Sequence, residues 1–331
     1  MKLPTFAFIA ATLACGFASA TTTAYTTPVG YETQTLQPGT FNLAGVRLFN
    51  SPVAAGTFQS NTSTTLVDTN ATFSLDAATN YIVEFPNGAT ITALGSNFSG
   101  TTLSGLTGIN GTYVGAYLVR KALTISSVFG ANDESGLGSS PNAAVSEADV
   151  IYLPDGAGGF IRVFYSTYTD DMAYNGWLNA DTYEKAAGQV INPTEALFVQ
   201  TTKSVAPISL VTTGEIKKTS TAFVANDSFS LVGAVYPAGS TLASSGLKNY
   251  LTASPNAAAS EADVIFMPDG AGNFVRAFYS TYTDDMAYNG WLNADTYAQI
   301  PDQALTPGFF INKIGSNISG LMTAPASYSG L

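Results

Sequence analysis

An all-β fold made of two homologous antiparallel modules is what this sequence predicts, with sandwich and barrel arrangements both open. Three observations predict it. Residues 141–183 recur at 255–297 with 37 of 43 positions identical and a constant offset of 114. Short runs rich in β-branched and aromatic residues are punctuated by Gly, Asn, Ser and Thr, as strands are by turns. Helical periodicity is nearly absent; its best stretch, residues 142–148, where Asn142 could cap a turn with Glu147 in reach, spans only about two turns.

The chain opens Met1-Lys2, continues as an apolar run to Leu13 and reaches Ala18-Ser19-Ala20, the pattern of a secretory signal peptide over residues 1–20 cleaved after Ala20. That run is shorter than the roughly 20 apolar residues a membrane span needs, and no later stretch qualifies, so no transmembrane segment is expected. A lipid-modified Cys15 is the alternative, with Leu13-Ala14 before it and Gly16 after, although Thr12 stands where a lipobox has Leu. Residues 21–36 read as an extended arm around Pro28 and Gly30 that leads into the first strand.

The first module is assigned to residues 21–214 and the second to 215–331. Phe41, Leu43 and Gly45 echo Phe229, Leu231 and Gly233 at an offset of 188, so the first module carries 74 extra residues, the difference between 188 and 114, ahead of its duplicated block. The insertion is placed at about 58–125, with strand-like runs at Tyr81 to Phe85 and Thr112 to Val119, and Pro86-Asn87-Gly88 as a hairpin signal. Within the duplicated block, Ala148 to Pro154, Asp155 to Gly159 and Phe160 to Tyr168 read as strand, turn and strand. Five of the six differences between the copies exchange apolar residues, and the sixth, Gly159 for Asn273, falls in the turn, where both residue types tolerate positive φ. Period-two alternation puts Phe160, Arg162, Phe164, Ser166 and Tyr168 on one face and Ile161, Val163, Tyr165 and Thr167 on the other, which is the expected core side. Glu195 to Gln200 and Pro307 to Asn312 are apolar runs after each block, and Ile208 to Gly214 and Ile318 to Met322 close the modules.

Composition narrows the chemistry. Formal net charge is −11; without residues 1–20 the chain keeps 11 Lys+Arg against 23 Asp+Glu, a net of −12, and loses its one Cys. There is no His. Ser/His/Asp triads, cysteine nucleophiles and the usual zinc sites are excluded by residue type, disulfides cannot staple the exported chain, and strong acidity argues against nucleic acid as partner. Ser245-Gly-Leu-Lys248 fits a bare S-x-x-K pattern, but without the accompanying motifs of serine acyltransferases it reads as chance.

Carboxylates and aromatics remain. Asp170-Asp171 and Asp284-Asp285 follow the long strands, but adjacent residues in an extended chain point apart, which suits poorly a glycosidase acid pair roughly 5 to 9.5 Å across a sugar. With Asp155 or Asp269 they are candidate calcium ligands, since hard cations take oxygen donors from acidic loops; the alternative is loop acids that cap turns. Tyr174 and Trp177, repeated as Tyr288 and Trp291, are the ligand-binding candidates, as a flat platform for a sugar or a protein partner, against the commoner fate of a Trp packed as core.

These residues resemble a repeated module of uncharacterised secreted bacterial proteins. The matching pieces are Ala148-Asp149-Val-Ile151, Asp155 to Phe160, Gly176-Trp177, Ala262 to Ile265, Gly290-Trp291, Asp302 and Pro307-Gly308-Phe309, with Thr26 to Tyr31 and Ser127-Val-Phe-Gly130 also similar. Copy one departs at Thr194-Glu195, where Pro-Gly belongs. The resemblance implies export and β-architecture; the family has no assigned activity or catalytic residues, so none is carried over to this chain. The expected function is therefore a secreted or cell-surface, non-enzymatic protein of structure, adhesion or assembly. A carbohydrate-binding module and an acid-pair glycoside hydrolase are the alternatives.

Overall fold

Among the described residues, eighteen strands of five or more residues form from these runs. The computed structural model describes residues 29–330 apart from Asn110 and Asp227; the expected signal peptide, its cleavage site and Cys15 lie outside the described residues. The first module opens with β1 (Val29–Leu36) and β2 (Phe41–Gly45). The insertion contributes β3 (Pro52–Phe58), β4 (Asn80–Glu84), β5 (Thr90–Leu94) and β6 (Gly115–Lys121). The module resumes with a short helix, α1 (Ile125–Phe129), then β7 (Val150–Pro154), β8 (Phe160–Thr167), β9 (Asn175–Asn179), β10 (Ala196–Gln200) and β11 (Ile208–Glu215). The second module has β12 (Thr221–Ala225), β13 (Ser228–Gly233), β14 (Val264–Pro268), β15 (Phe274–Thr281), β16 (Asn289–Asn293), β17 (Gly308–Lys313) and β18 (Ile318–Met322).

The modules share one topology. Five antiparallel strands run β9-β8-β7-β10-β2 in the first and β16-β15-β14-β17-β13 in the second, while the opening and closing strands pair as two-stranded ribbons, β1 with β11 and β12 with β18. These sheets are open, so each module is a two-layer sandwich and not a closed barrel. Residues 29–36, expected as an arm, are thus a ladder strand along all of β11, because their alternating side chains fit one face of a ribbon. Ile151, Leu153, Val163 and Val199 of the large sheet share a buried cluster with Leu36, Ile208 and Leu210 of the ribbon, and the same cluster runs on through Ile265, Met267 and Ile311. Each such side chain contributes about 1.5–3 kcal/mol on burial. The Ile161 and Val163 face is the core face, as the alternation implies.

Two local expectations need correction. Positive φ falls on Gly156 and Gly158, and on Gly270 and Gly272, but not on the exchanged Gly159 and Asn273. Those two can differ in side chain because their contacts across the turn are made by backbone: each donates its N–H to the carboxylate of Asp155 or Asp269 and accepts that residue's N–H at its own carbonyl. Residues 142–148 make a single 3-10 turn, Val145–Glu147, with Asn142 bonded to the Glu147 carboxylate. The one α-helix among the described residues lies elsewhere: Ser127 donates its backbone N–H to the Thr124 hydroxyl at the start, and Gly130 at φ 93° ends it.

The insertion builds its own four-stranded sheet, β3-β6-β4-β5, over a separate core that includes Phe58, Tyr81, Val83, Tyr117 and Val119. It begins at Pro52 and not near 58, and its last strand ends at Lys121. Asn87-Gly88 turns the β4–β5 hairpin, with Glu84 opposite Thr90. A buried charge group docks the insertion on the junction between modules. Arg120 lies 3.3 Å from Glu84 and 2.7 Å from Glu215, and Lys217 lies 3.2 Å from Glu84. Burial pulls the Lys217 pKa below its ordinary value, and attraction by Glu84 opposes that pull.

The modules meet about an approximate two-fold axis. Gly45 faces Ala196 in the first sheet as Gly233 faces Gly308 in the second. A Cβ on Gly45 would stand 2.1 Å from the Pro307 carbonyl oxygen, and one on Gly233 would stand 2.6 Å from that of Glu195. Those carbonyls are themselves equivalent, so the echoed glycines mark reciprocal backbone contacts, and Gly233 donates its N–H to Thr194 O at 2.8 Å.

Candidate functional site

The predicted Tyr-Trp platform is divided by the fold. Trp177 and Trp291 are only 2% and 3% exposed, because Trp occupies the inward phase of β9 and β16 and packs edge-on against Tyr165 and Tyr279 at 5.0 and 5.4 Å. The indoles are core and cannot present a flat face to a ligand. Trp177 donates its Nε1–H to the Gly130 carbonyl at 2.7 Å, which gives the Ser127 to Gly130 motif a structural purpose, whereas the Nε1 of Trp291 is buried without a partner. Tyr174 and Tyr288 remain outside at 40% exposure each. Tyr174 meets Tyr183 edge-on at 6.3 Å, and Tyr183 and Tyr297 both hold φ 61°, a left-handed conformation rare for a bulky residue, which sets their rings against Phe164 and Phe278.

The acidic candidates are occupied by local backbone. Asp155 and Asp269 accept N–H groups two and four residues on, which holds their carboxyls below the usual range. Asp171 and Asp285 cap 3-10 turns by accepting from Ala173 and Ala287. Asp170 and Asp284 sit beside them in exposed loops. Among the described residues no three carboxylates converge.

Asp149 and Asp263, the acids of the repeated Ala-Asp-x-Ile motif, are buried clamps. Asp149 accepts from the backbone N–H of Gly138 and Lys203 at 2.7 and 2.6 Å and from the Ser204 hydroxyl. Asp263 accepts from the N–H of Thr252 and Ile314 at 2.7 and 2.9 Å and pairs with the Lys313 ammonium at 2.5 Å.

What the fold does assemble is a continuous aromatic face. Phe41, Leu43 and Gly45 project from the outer side of β2, opposite Gln200, Phe198 and Ala196 of β10. Beside them Tyr152 of β7 lies opposite Arg162 of β8, with Phe160 at the end of that strand. In the second module Phe229, Phe310, Phe266 and Phe274 repeat Phe41, Phe198, Tyr152 and Phe160. Within each module successive rings touch at 5.4 to 6.3 Å, and Phe198 meets Phe310 at 5.5 Å across the junction, so eight rings form one chain of contacts. Phe41, Phe160, Phe229 and Phe274 are 56%, 43%, 58% and 44% exposed. Farther along the same outer surface, Val150, Phe164 and Leu178 are buried with Ala148 and Ala180, as are Val264, Phe278 and Leu292 in the second module. The ion pairs Arg162–Asp181 and Arg276–Asp295 border the rings.

Sequence alternation assigned Phe160 and Arg162 to the non-core face but gave no reason to gather eight rings. The usable signal was that outward positions stay aromatic in both copies: Tyr152 becomes Phe266, and the echoed Phe41 and Phe229 face solvent. No helix among the described residues is long and apolar enough to cross a membrane. No family model, curated protein or solved structure matches this chain.

Proposed function

We propose that this chain is a secreted or cell-surface, non-enzymatic protein of assembly or adhesion, whose two modules form one scaffold for the aromatic face. The observation that carries the reading is the half-exposure of four phenylalanines that belong to one chain of eight touching rings, whereas other exposed apolar side chains such as Val205 and Met172 have no such ring contacts. Leaving large apolar rings in water has a cost that contact with a partner removes, and contiguous apolar patches of this kind mark interaction surfaces. The reciprocal glycine contacts at the junction support it as well, since they hold the two halves of the face in fixed register.

The test is retention of the purified chain on washed cells that produce it. Replacing Phe41, Phe160, Phe229 and Phe274 together by Ser is expected to abolish retention while the circular dichroism spectrum is unchanged. Undiminished retention would remove the face from the function. Turnover of a glycoside lost on Asp170→Asn or Asp284→Asn would replace the reading with a hydrolase.

A second reading, carbohydrate binding, is favoured by the exposed Tyr174 and Tyr183, whose rings meet edge-on and which recur as the exposed Tyr288 and Tyr297. It must work without the indoles. A glycan-array signal lost on Tyr174→Ala with Tyr288→Ala would support it.

A further inference from the structure

We propose that the aromatic face receives a second copy of this chain, packed face to face about a two-fold axis. The proposal deepens the assembly reading and rests on it. Four half-exposed phenyl rings and four partly covered ones, at about 150–250 Å² each when fully exposed, leave roughly 600 Å² of aromatic surface in water. Single chains seldom leave more than a patch of about 300–600 Å². Two such faces in contact bury about 1,200 Å², which reaches the lower bound for a specific, stable interface.

The composition of the face suits a protein partner. Aromatic rings fill its middle, and Arg162–Asp181 and Arg276–Asp295, each half-exposed, stand at its margins. A desolvated aromatic centre inside a charged rim is the anatomy of protein interfaces. The ring geometry argues against a sugar: within each module neighbouring rings are inclined at 53° to 89°, so they interlock and offer no coplanar platform. Phe198 and Phe310, inclined at 37°, sit at the junction.

The internal symmetry accommodates a second copy. Because the internal two-fold exchanges Phe41 with Phe229 and Phe160 with Phe274, the face presents the same pattern after half a turn. An isologous dimer needs a surface that complements itself. Stacking two of these faces yields four modules in near-222 arrangement, with each module of one copy seated on a module of its partner.

Each copy carries a net charge near −12, so association is opposed at low ionic strength and strengthened by salt. Sedimentation velocity and light scattering of the full chain, from 1 to 200 µM in 50 and 500 mM NaCl, are the measurements that decide. The expected result is a monomer–dimer equilibrium with a lower Kd at the higher salt. Phe41→Ser with Phe229→Ser should raise Kd at least tenfold, and Phe160→Arg with Phe274→Arg should remove the dimer, with unfolding midpoints unchanged. A chain that stays monomeric to 200 µM at both salts overturns the proposal, as does a dimer indifferent to all four substitutions. If the monomeric chain still loses cell retention in the quadruple Ser variant, the assembly reading survives with another partner. Binding of the monomer to neutral phosphatidylcholine vesicles, lost with the same substitutions, would assign the face to lipid and also overturn the second copy.

Discussion

Asp149 and Asp263 occupy the same place in the two modules and carry the same side chain, yet the same substitution should cost very different amounts. Asp263→Asn leaves the Lys313 ammonium buried without its counter-charge, since both side chains are at most 2% exposed. Breaking a buried pair by removing one partner costs about 3–5 kcal/mol. Asp149 meets only neutral donors, the N–H groups of Gly138, Lys203 and Ser204 and the Ser204 hydroxyl. An Asn there keeps one acceptor oxygen and misplaces one amide, a loss of about 1–3 kcal/mol. The expected difference between the two sites is therefore about 2 kcal/mol. Asp263→Asn combined with Lys313→Met should recover most of the larger loss, because the orphaned charge goes with its partner. The assay is equilibrium urea unfolding read by fluorescence. Trp177 and Trp291 are the only two tryptophans and lie one in each module, so a Trp177→Phe background reports on the second module and Trp291→Phe on the first. Equal losses at the two aspartates, or a double variant no more stable than Asp263→Asn alone, would refute the assignment of the buried ion pair as the source of the asymmetry.

Three further outcomes follow from the geometry. Burial, helped by the nearby Asp149 and Glu134 carboxylates, pushes the Asp133 carboxyl up to about 6 from an ordinary 3.8, so the folded state holds a proton that the unfolded chain releases between pH 4 and 6. Its charge thus opposes folding above pH 6 and that opposition fades as pH falls to 4; Asp133→Asn should be more stable than the parent at pH 8, by about 1 kcal/mol after allowance for solvent screening, and equal to it at pH 4, as thermal melts at the two pH values would establish. Trp177→Phe deprives the Gly130 carbonyl of its donor, whereas Trp291→Phe removes a donor already without one, so the first should cost about 1–3 kcal/mol more in urea unfolding. Gly45→Ala drives a methyl to 2.1 Å from the Pro307 carbonyl, and since both sides of that contact are backbone the modules must separate there, with an expected loss of about 1–3 kcal/mol and faster proteolysis of residues 216–220.

The duplicated hairpin was legible because its information is local. Val150 to Pro154 and Phe160 to Thr167 are short runs rich in β-branched and aromatic residues that pair antiparallel, and Gly156 and Gly158 take the positive φ that closes the turn. The two offsets, 188 and 114, point to extra residues ahead of the first block, but the strand at Pro52 was not legible, since Pro52 to Phe58 is a small-residue run without clear alternation. The tryptophan loops misled for a related reason: Asn175-Gly176 signals a turn, but what lies over Trp177 is Phe129 and the Gly130 carbonyl, nearly fifty residues away in the chain. Nothing in Tyr-Asn-Gly-Trp announces that cover.

The sequence by itself determined the strand content, the repetition, the acidity and the absence of imidazole chemistry, because alternation, turn dihedrals and charge are properties of neighbouring residues or of their sum. Only the tertiary structure decided which outward side chains stay uncovered. Phe164 and Phe160 share one face of one strand, yet Phe164 is sealed beneath residues 143–148 while Phe160 joins Phe41, Phe198 and, through the module junction, the rings of the second copy of the motif. Exposure is set by what other segments pack above a residue, and that is fixed by contacts between parts of the chain far apart in sequence.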